Sequence, residues 1–317
     1  MKGAKMMITY YNFQNNQLNN SLEDLAKWIA VNNPTSHEVE KLGKYYDIPL
    51  DMFVTQYFPE NMTEIEHFNS ETLGNCAFLV LINYKTSKPH SIEKGLYPIT
   101  FIYNKEKMIS ITDKRDVSIM PSIKKDLSEA VQPSQLIVRC ILNMYQIYTV
   151  EINRLKRAID EISERARSTT KREVLTDLAD VERDMVFLEQ TLVDQKATIE
   201  KLLASELFQS MTTEERHVRE IKRKIKKTDK LISLNRDLID TTGGLISDML
   251  DSKLNGIMEY LDSAQLVIAI PTLIFSLWGI NTGGLIGKDT PLGSLSVVIF
   301  AILLGWTTYL YLKKKEY

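Results

Sequence analysis

Two cysteines in 317 residues, Cys76 and Cys140, are too few for a disulfide framework or a thiolate metal cluster. A strong charge of either sign is missing as well. Net charge is −2, so no global field favours nucleic acid or an anionic surface. Glycine and proline are absent from 134 to 242, which leaves that stretch without turn signals. No Gly-rich phosphate loop, His-Glu-x-x-His or Gly-x-Ser-x-Gly occurs. With no nucleophile or acid/base constellation, an enzyme is the least favoured class.

The most telling absence is local. Asp, Glu, Lys and Arg are missing from 263–287 and again from 290–312. A bilayer core about 30 Å thick needs roughly 20 apolar residues in a helix, so each stretch is long enough to span. The connection between them, 281–291, is too short to hold a domain. The chain therefore reads as a C-terminal membrane hairpin following some 260 residues of charged, water-compatible sequence; mean hydropathy is only −0.17. Residues 1–13 lack the apolar core of a signal peptide, so the long N-terminal portion is expected to stay where it is made. Lys253 precedes the first span and Lys313, Lys314 and Lys315 follow the second, whereas the connection offers Lys288 beside Asp289. The excess of bases places both termini in the cytoplasm.

Residues 1–132 read as a mixed α/β domain. Stretches 6–13, 75–84, 96–103 and 107–112 are rich in β-formers. Stretches 21–31 and 36–46 look helical, with Ser21 and Ser36 as N-caps and Pro34 and Pro49 at the ends. From 133 to 262 Glu, Lys, Arg and Leu dominate, and long helices are expected at 133–167, 171–206 and 212–280, the third starting with a Thr212/Glu215 capping box and entering the membrane. Residues 263–317 form the hairpin and tail. The basic run 222–230 reads first as a solvated helix face, and a positive belt coupled to gating is its functional reading.

A polar seam runs along that third helix. Steps of three and four from Gly244 give Asp248, Asp251, Asn255, Met258, Asp262, Gln265, Ala269, Thr272 and Ser276, all on one face. Helix packing through small residues accounts for Ala269, Thr272 and Ser276. It accounts poorly for Asp262 and Gln265, because an acid at membrane depth faces a partner or water. A hydrated path shared by several subunits is the sharper reading, and two helices per chain enclose such a path only in an oligomer. Oxygen ligands suit Mg²⁺, which keeps its waters. His37, His67, His90 and His217 are off the seam, so imidazole ligation has no support.

The end of the first span carries a resemblance. Gly279-Ile280-Asn281 follows Trp278, and Lys253, Asn255, Met258 and Leu261 form the approach Lys-x-Asn-x-x-Met-x-x-Leu. With the short connection, the second span and the tail Lys313-Lys314-Lys315, this resembles the CorA family of divalent-cation transporters, whose pore helix ends in Gly-Met-Asn. The specific motifs cover the last 65 or so residues, and the order of α/β start, long helices and hairpin extends the likeness to the whole chain. What the resemblance implies is an α+β cytoplasmic domain, long helices and a homopentameric funnel with the first span lining the pore. Gly279, Ile280 and Asn281 would form the selectivity filter, with Asn281 holding a hydrated cation and Gly279 permitting a tight turn. Met258 and Leu261 would form an apolar gate, Asn255 a polar ring below it, and Thr272 an inward hydroxyl.

Several positions depart from the family pattern. Ile280 replaces Met, as in variants that include the zinc-transporting ZntB branch with its Gly-Val-Asn. The connection 282–291 lacks an acidic Met-Pro-Glu-Leu element and is neutral. The acid expected near Gly244 is missing, with Asp248 and Asp251 as substitutes. The expected function is gated transport of a divalent cation, Mg²⁺ first (or Co²⁺ and Ni²⁺), with Asn281, Asp262 and Asn255 as metal-contacting residues. Zn²⁺ transport, proton-coupled through Asp262, is the alternative, and a membrane-anchored coiled-coil scaffold the second. The expected partners are further copies of the chain, lipids and the cation; no cofactor and no nucleic acid are expected. Regulatory Mg²⁺ ligands are sought among Glu23, Asp24, Asp113, Asp116 and Asp126.

Overall fold

The computed structural model describes residues 7–14, 17–49, 63–85, 91–112, 132–168, 172–211, 215–279 and 290–314. The N-terminal part is a seven-stranded mixed sheet. Its strands are β1 (Met7–Gln14), β2 (Gln17–Asn20), β3 (Trp28–Asn32), β4 (Glu64–Ser70), β5 (Gly74–Tyr84), β6 (Leu96–Tyr103) and β7 (Met108–Thr112). They lie in the order β2-β1-β3-β7-β6-β5-β4, with β3 and β7 parallel and every other pair antiparallel. Helix α1 (Ser36–Tyr45) covers one face, where Val39 and Leu42 meet Ile29, Val31, Phe78, Val80, Ile109 and Ile111. Both faces of the central strands are covered, so β5 is buried without alternation from Cys76 to Tyr84.

A short helix α2 (Ile92–Gly95) precedes β6, and the remaining helices are α3 (Pro133–Ser168), α4 (Arg172–Ala204), α5 (Glu206–Met211), α6 (Glu215–Gly279) and α7 (Pro291–Lys314). The chain packs as two compact units, one of Met1–Ile162 with Glu173–Thr242, the other of Ser163–Arg172 with Gly243–Tyr317.

In the first unit, α3 and α4 grip the sheet at Ile82. Strand β4 ends at Glu64, opposite Val80, and β5 runs on to Tyr84 with no strand on that side among the described residues. Ile82 donates its amide to Gln195 Oε1 at 2.8 Å and its carbonyl accepts the Tyr148 hydroxyl at 2.6 Å. Two helices thus supply the hydrogen-bond partners of Ile82. Burial pushes the Tyr148 phenol well up, so it stays a donor. A second tie joins the Ile92 amide to Asp184 Oδ1 at 3.0 Å.

The upstream part of α6 packs by a strict register. Ile221, Ile225, Thr228, Ile232, Asn235, Ile239, Thr242 and Ile246 are all buried, at alternating steps of four and three. This is the seam of a coiled coil, in which a buried polar residue fixes the register. Asn235 does so by donating to the Ile152 carbonyl of α3 at 2.9 Å.

Some expectations need correction. The helix expected at 21–31 is a single 3-10 turn at Glu23–Leu25 followed by β3. Leu22 and Leu25 are 75% and 62% exposed, while Trp28 to Val31 sit inside the sheet between β1 and β7. Helix α1 is capped by Thr35 rather than Ser36: the Glu38 carboxylate accepts the Thr35 amide at 2.7 Å. The helix expected over 171–206 ends at Ala204, and after Ser205 a separate short helix, α5, follows. Thr212 lies outside the described residues.

Tyr148→Phe keeps the buried ring but strands the Ile82 carbonyl, at a cost of about 1–3 kcal/mol. Thermal unfolding of the detergent-solubilised variant is expected to start several degrees lower; an unchanged transition would mean that Ile82 finds another donor.

Candidate functional site: the polar face of helix α6

Two helices, α6 and α7, contain segments long and apolar enough to cross a membrane. How they pack decides where the seam points. Ala301 and Gly305, four residues apart on α7, are its buried positions, the small-residue spacing that lets helix backbones approach. A Cβ on Gly305 would stand 3.0 Å from Pro271 Cγ and 3.6 Å from the Val267 carbonyl oxygen. Pro271 lies inside α6 and has no N–H, so it leaves the carbonyl four residues back, that of Val267, without its helical partner. Gly305 fits against this defect. The partly covered positions Ser263, Val267, Ile270, Pro271 and Ile274 mark the side of α6 turned toward α7.

Gln265, Ala269, Thr272 and Ser276 each lie two positions after one of these covered residues. At about 100° per residue, two positions are about 200°, the opposite face of the helix. Those four are accordingly exposed in the single chain, and Asp262, Asp248, Asp251 and Asn255 are exposed as well. On the upstream part of α6, Asp237, Lys230, Lys227 and Arg223 are exposed.

Met258 and Leu261 are 53% and 55% exposed. Met258 is on the seam and Leu261 on its flank, one residue before Asp262. Leu266, Leu273 and Leu277 flank the other side, and Ile268 and Phe275 the side of Leu261; all are exposed. A polar or small stripe between two apolar flanks, with a helix behind it, is the section of a wedge. Thr272 donates its hydroxyl proton to the Ile268 carbonyl at 2.8 Å, so only its oxygen lone pairs face outward. Ser276, Thr272, Ala269, Gln265 and part of Leu261 line one shallow groove along α6.

The expected metal-contacting residues are not gathered within one chain. Asn255 and Asp262 are two turns apart, about 10 Å along the axis. Among the described residues no three His, Cys, Asp or Glu side chains cluster as a metal site. Each level of the seam offers one ligand, so a complete shell needs equivalent residues from other copies or the ion's own waters. Gly279 is the last described residue of α6, and among the described residues a Cβ on it meets nothing within 4 Å beyond its own turn of helix. Ile280, Asn281 and Lys315 lie outside the described residues, as do Asp113, Asp116 and Asp126; Lys313 and Lys314 end α7. Glu23 accepts a hydrogen bond from Tyr46. The contact of Gly305 with Pro271 was not foreseen, although small residues four apart in an apolar run are a sequence signal for it.

The comparisons with known proteins agree with this arrangement. The family model described as CorA-like Mg2+ transporter protein matches residues 23–314. None of the curated proteins compared matches significantly. The complete CorA magnesium transporter from Methanocaldococcus jannaschii has the same fold, with a TM-score of 0.76 at 14% identity, covering 100% of this chain and 99% of that one. The full-length CmaX protein gives 0.71 at 14% identity over 99% and 100%. The ZntB cytoplasmic domain from Vibrio parahaemolyticus gives 0.53 at 12% identity over 80% and 98%.

Gly305→Leu forces a branched side chain against Pro271 and the Val267 carbonyl. It is expected to separate the two spans and lower the detergent-stable yield, while Gly305→Ala, with a contact that needs only a few tenths of an ångström of relief, keeps most of it. Equal yields for Leu and wild type would show that the two helices do not pack here.

Proposed function

The chain belongs to the CorA-like Mg2+ transporter family, and from that premise we propose that it conducts Mg²⁺ through a cyclic homopentamer, with the polar face of α6 lining the path and both termini in the cytoplasm. It is a membrane protein of a divalent-cation transport family, not an enzyme. The observation that carries the finer reading is the placement of the seam about 200° from the face covered by α7. A polar stripe exposed to hydrocarbon is costly; around a shared axis it lines water instead.

In this reading each ring of the path has its own chemistry. Asn281 amide oxygens accept hydrogen bonds from the outward-facing waters of the cation, so selection needs no dehydration of an ion that gives up water reluctantly. Gln265 and Asp262 continue a hydrated lining below. The Met258 and Leu261 level is apolar and closes the path by dewetting when the rings draw together. Asn255, Asp251 and Asp248 concentrate cations on the cytoplasmic side.

Zn²⁺ transport driven by a proton gradient is the second reading, and Asp262 is the observation in its favour: an ionisable group at the entry to the uncharged span suits a step that binds and releases a proton.

The test is flux into liposomes. Mg²⁺ uptake is expected without a pH gradient, at a rate reduced by Asp262→Asn, and Asn281→Ala is expected to remove discrimination among cations while the protein still assembles. A mass measurement in detergent should return five chains. Zn²⁺ flux that requires a pH gradient and is lost in Asp262→Asn supports the second reading instead. Wild-type selectivity in Asn281→Ala removes the filter, and a monomer or dimer alone removes the pore.

A further inference from the structure

Transport makes no use of a pocket on the α1 side of the sheet. Ile8 and Tyr10 of β1, Ile29 of β3, Glu23 of the 3-10 turn and Tyr45 and Tyr46 at the end of α1 line a cavity of about 650 Å³, a size that suits a small molecule. The rings of Tyr45 and Tyr46 stand 4.8 Å apart at 82°, forming a corner. Tyr45 is 61% exposed and stands at the mouth, whereas Tyr46 is buried. Glu23 accepts the Tyr46 hydroxyl at 3.4 Å. Burial, and next the nearby Glu23, push the Tyr10 and Tyr46 phenols up, so both remain neutral donors.

Among the described residues no Lys, Arg or His is ion-paired with Glu23. Lys44, which borders the pocket, is turned to Glu40 at 2.9 Å, and Glu38 is spent on Thr35. The pocket also sits at the C-terminal end of α1, where the helix dipole favours positive charge. Glu38, Lys41 and Lys44 complete the polar part of the lining. Aromatic faces and apolar walls beside the Glu23 carboxylate suit a weakly hydrated cation with an apolar body. They suit Mg²⁺ less well, because few groups there accept hydrogen bonds from its bound waters.

We propose that this pocket binds a small organic ammonium ion, seated against the rings of Tyr10, Tyr45 and Tyr46 with its charge toward Glu23. It is separate from the conduction path, and its occupancy is measured by equilibrium titration with no transport step.

The probe is tetramethylammonium chloride, titrated by calorimetry into the detergent-purified full chain against sodium chloride of equal ionic strength. Saturable binding is expected, weakened about tenfold by Glu23→Gln and by Tyr45→Ala, the loss of one charge contact or one cation–π face. Tyr45→Phe keeps the face and is expected to restore binding; because residue 45 is exposed, neither variant opens a core cavity. Lys41→Gln, which removes the remaining positive charge at the rim, is expected to leave binding unchanged or tighter. No saturable heat, full competition by Mg²⁺, or equal binding in Glu23→Gln and Tyr45→Ala overturns the proposal. Saturable binding of inorganic phosphate that depends on Lys41 overturns it as well, since the pocket would then be an anion site.

Discussion

Hydrocarbon offers no partner to a polar side chain, and this constraint fixes the architecture of the membrane end. Helix α6 must cross the bilayer while carrying Asp262, Gln265, Thr272 and Ser276 on one face. Its opposite face is taken by α7, where Gly305 fits against Pro271 and the unpaired Val267 carbonyl. The polar face is left with two options, lipid or the same face of other copies around water. Only the second avoids the cost of solvating an acid in lipid. The apolar flanks, with Leu266 and Leu273 on one side and Ile268 and Phe275 on the other, are exposed in the single chain, and in the proposed pore they would meet lipid and neighbouring copies.

The same helix meets a different constraint in water. There its alternating steps of three and four bury isoleucine against α3 and α4, interrupted by Thr228, Asn235 and Thr242. Polar residues at such positions weaken the packing and specify its register, as the bond from Asn235 to the Ile152 carbonyl does. The clamp of Tyr148 and Gln195 on Ile82 anchors α3 and α4 to the sheet, and through them the phase of α6 within the first unit.

Much of this was legible in the sequence because the signals are long. Runs of more than twenty uncharged residues, an absence of glycine and proline over 134–242, and a polar stripe recurring over nine positions each outlast local noise. The central strands β5, β6 and β7 were legible because both their faces are buried and their sequences are apolar throughout. The edge strands β2 and β4 were not: Gln17–Asn20 and Glu64–Ser70 are polar, as strands with a free edge tend to be. Strand β3 was read into a helix at 21–31, started by Ser21 and ended by Pro34, whereas Trp28–Asn32 pairs with β1 and β7. Of the site, the seam was readable from periodicity, whereas the direction it faces was not. That depends on which side α7 covers, a fact set by a glycine some thirty residues downstream and by a proline that breaks one hydrogen bond.

Cysteine accessibility along α6 tests the central claim most directly. The two native thiols, Cys76 and Cys140, are buried, and burial pushes Cys76 up to about 11, so the background reaction is low. Single cysteines at Ala269, Thr272 and Ser276 on the seam, at Leu273 and Phe275 on the flanks, and at Val267 and Ile274 toward α7 are treated with a membrane-impermeant thiol reagent in liposomes. The account predicts fast modification at the seam positions, with cation flux blocked in step, and little at the others. Reaction that is uniform around the helix, or strongest at the flanks, would contradict it, because the polar face would then not line the water.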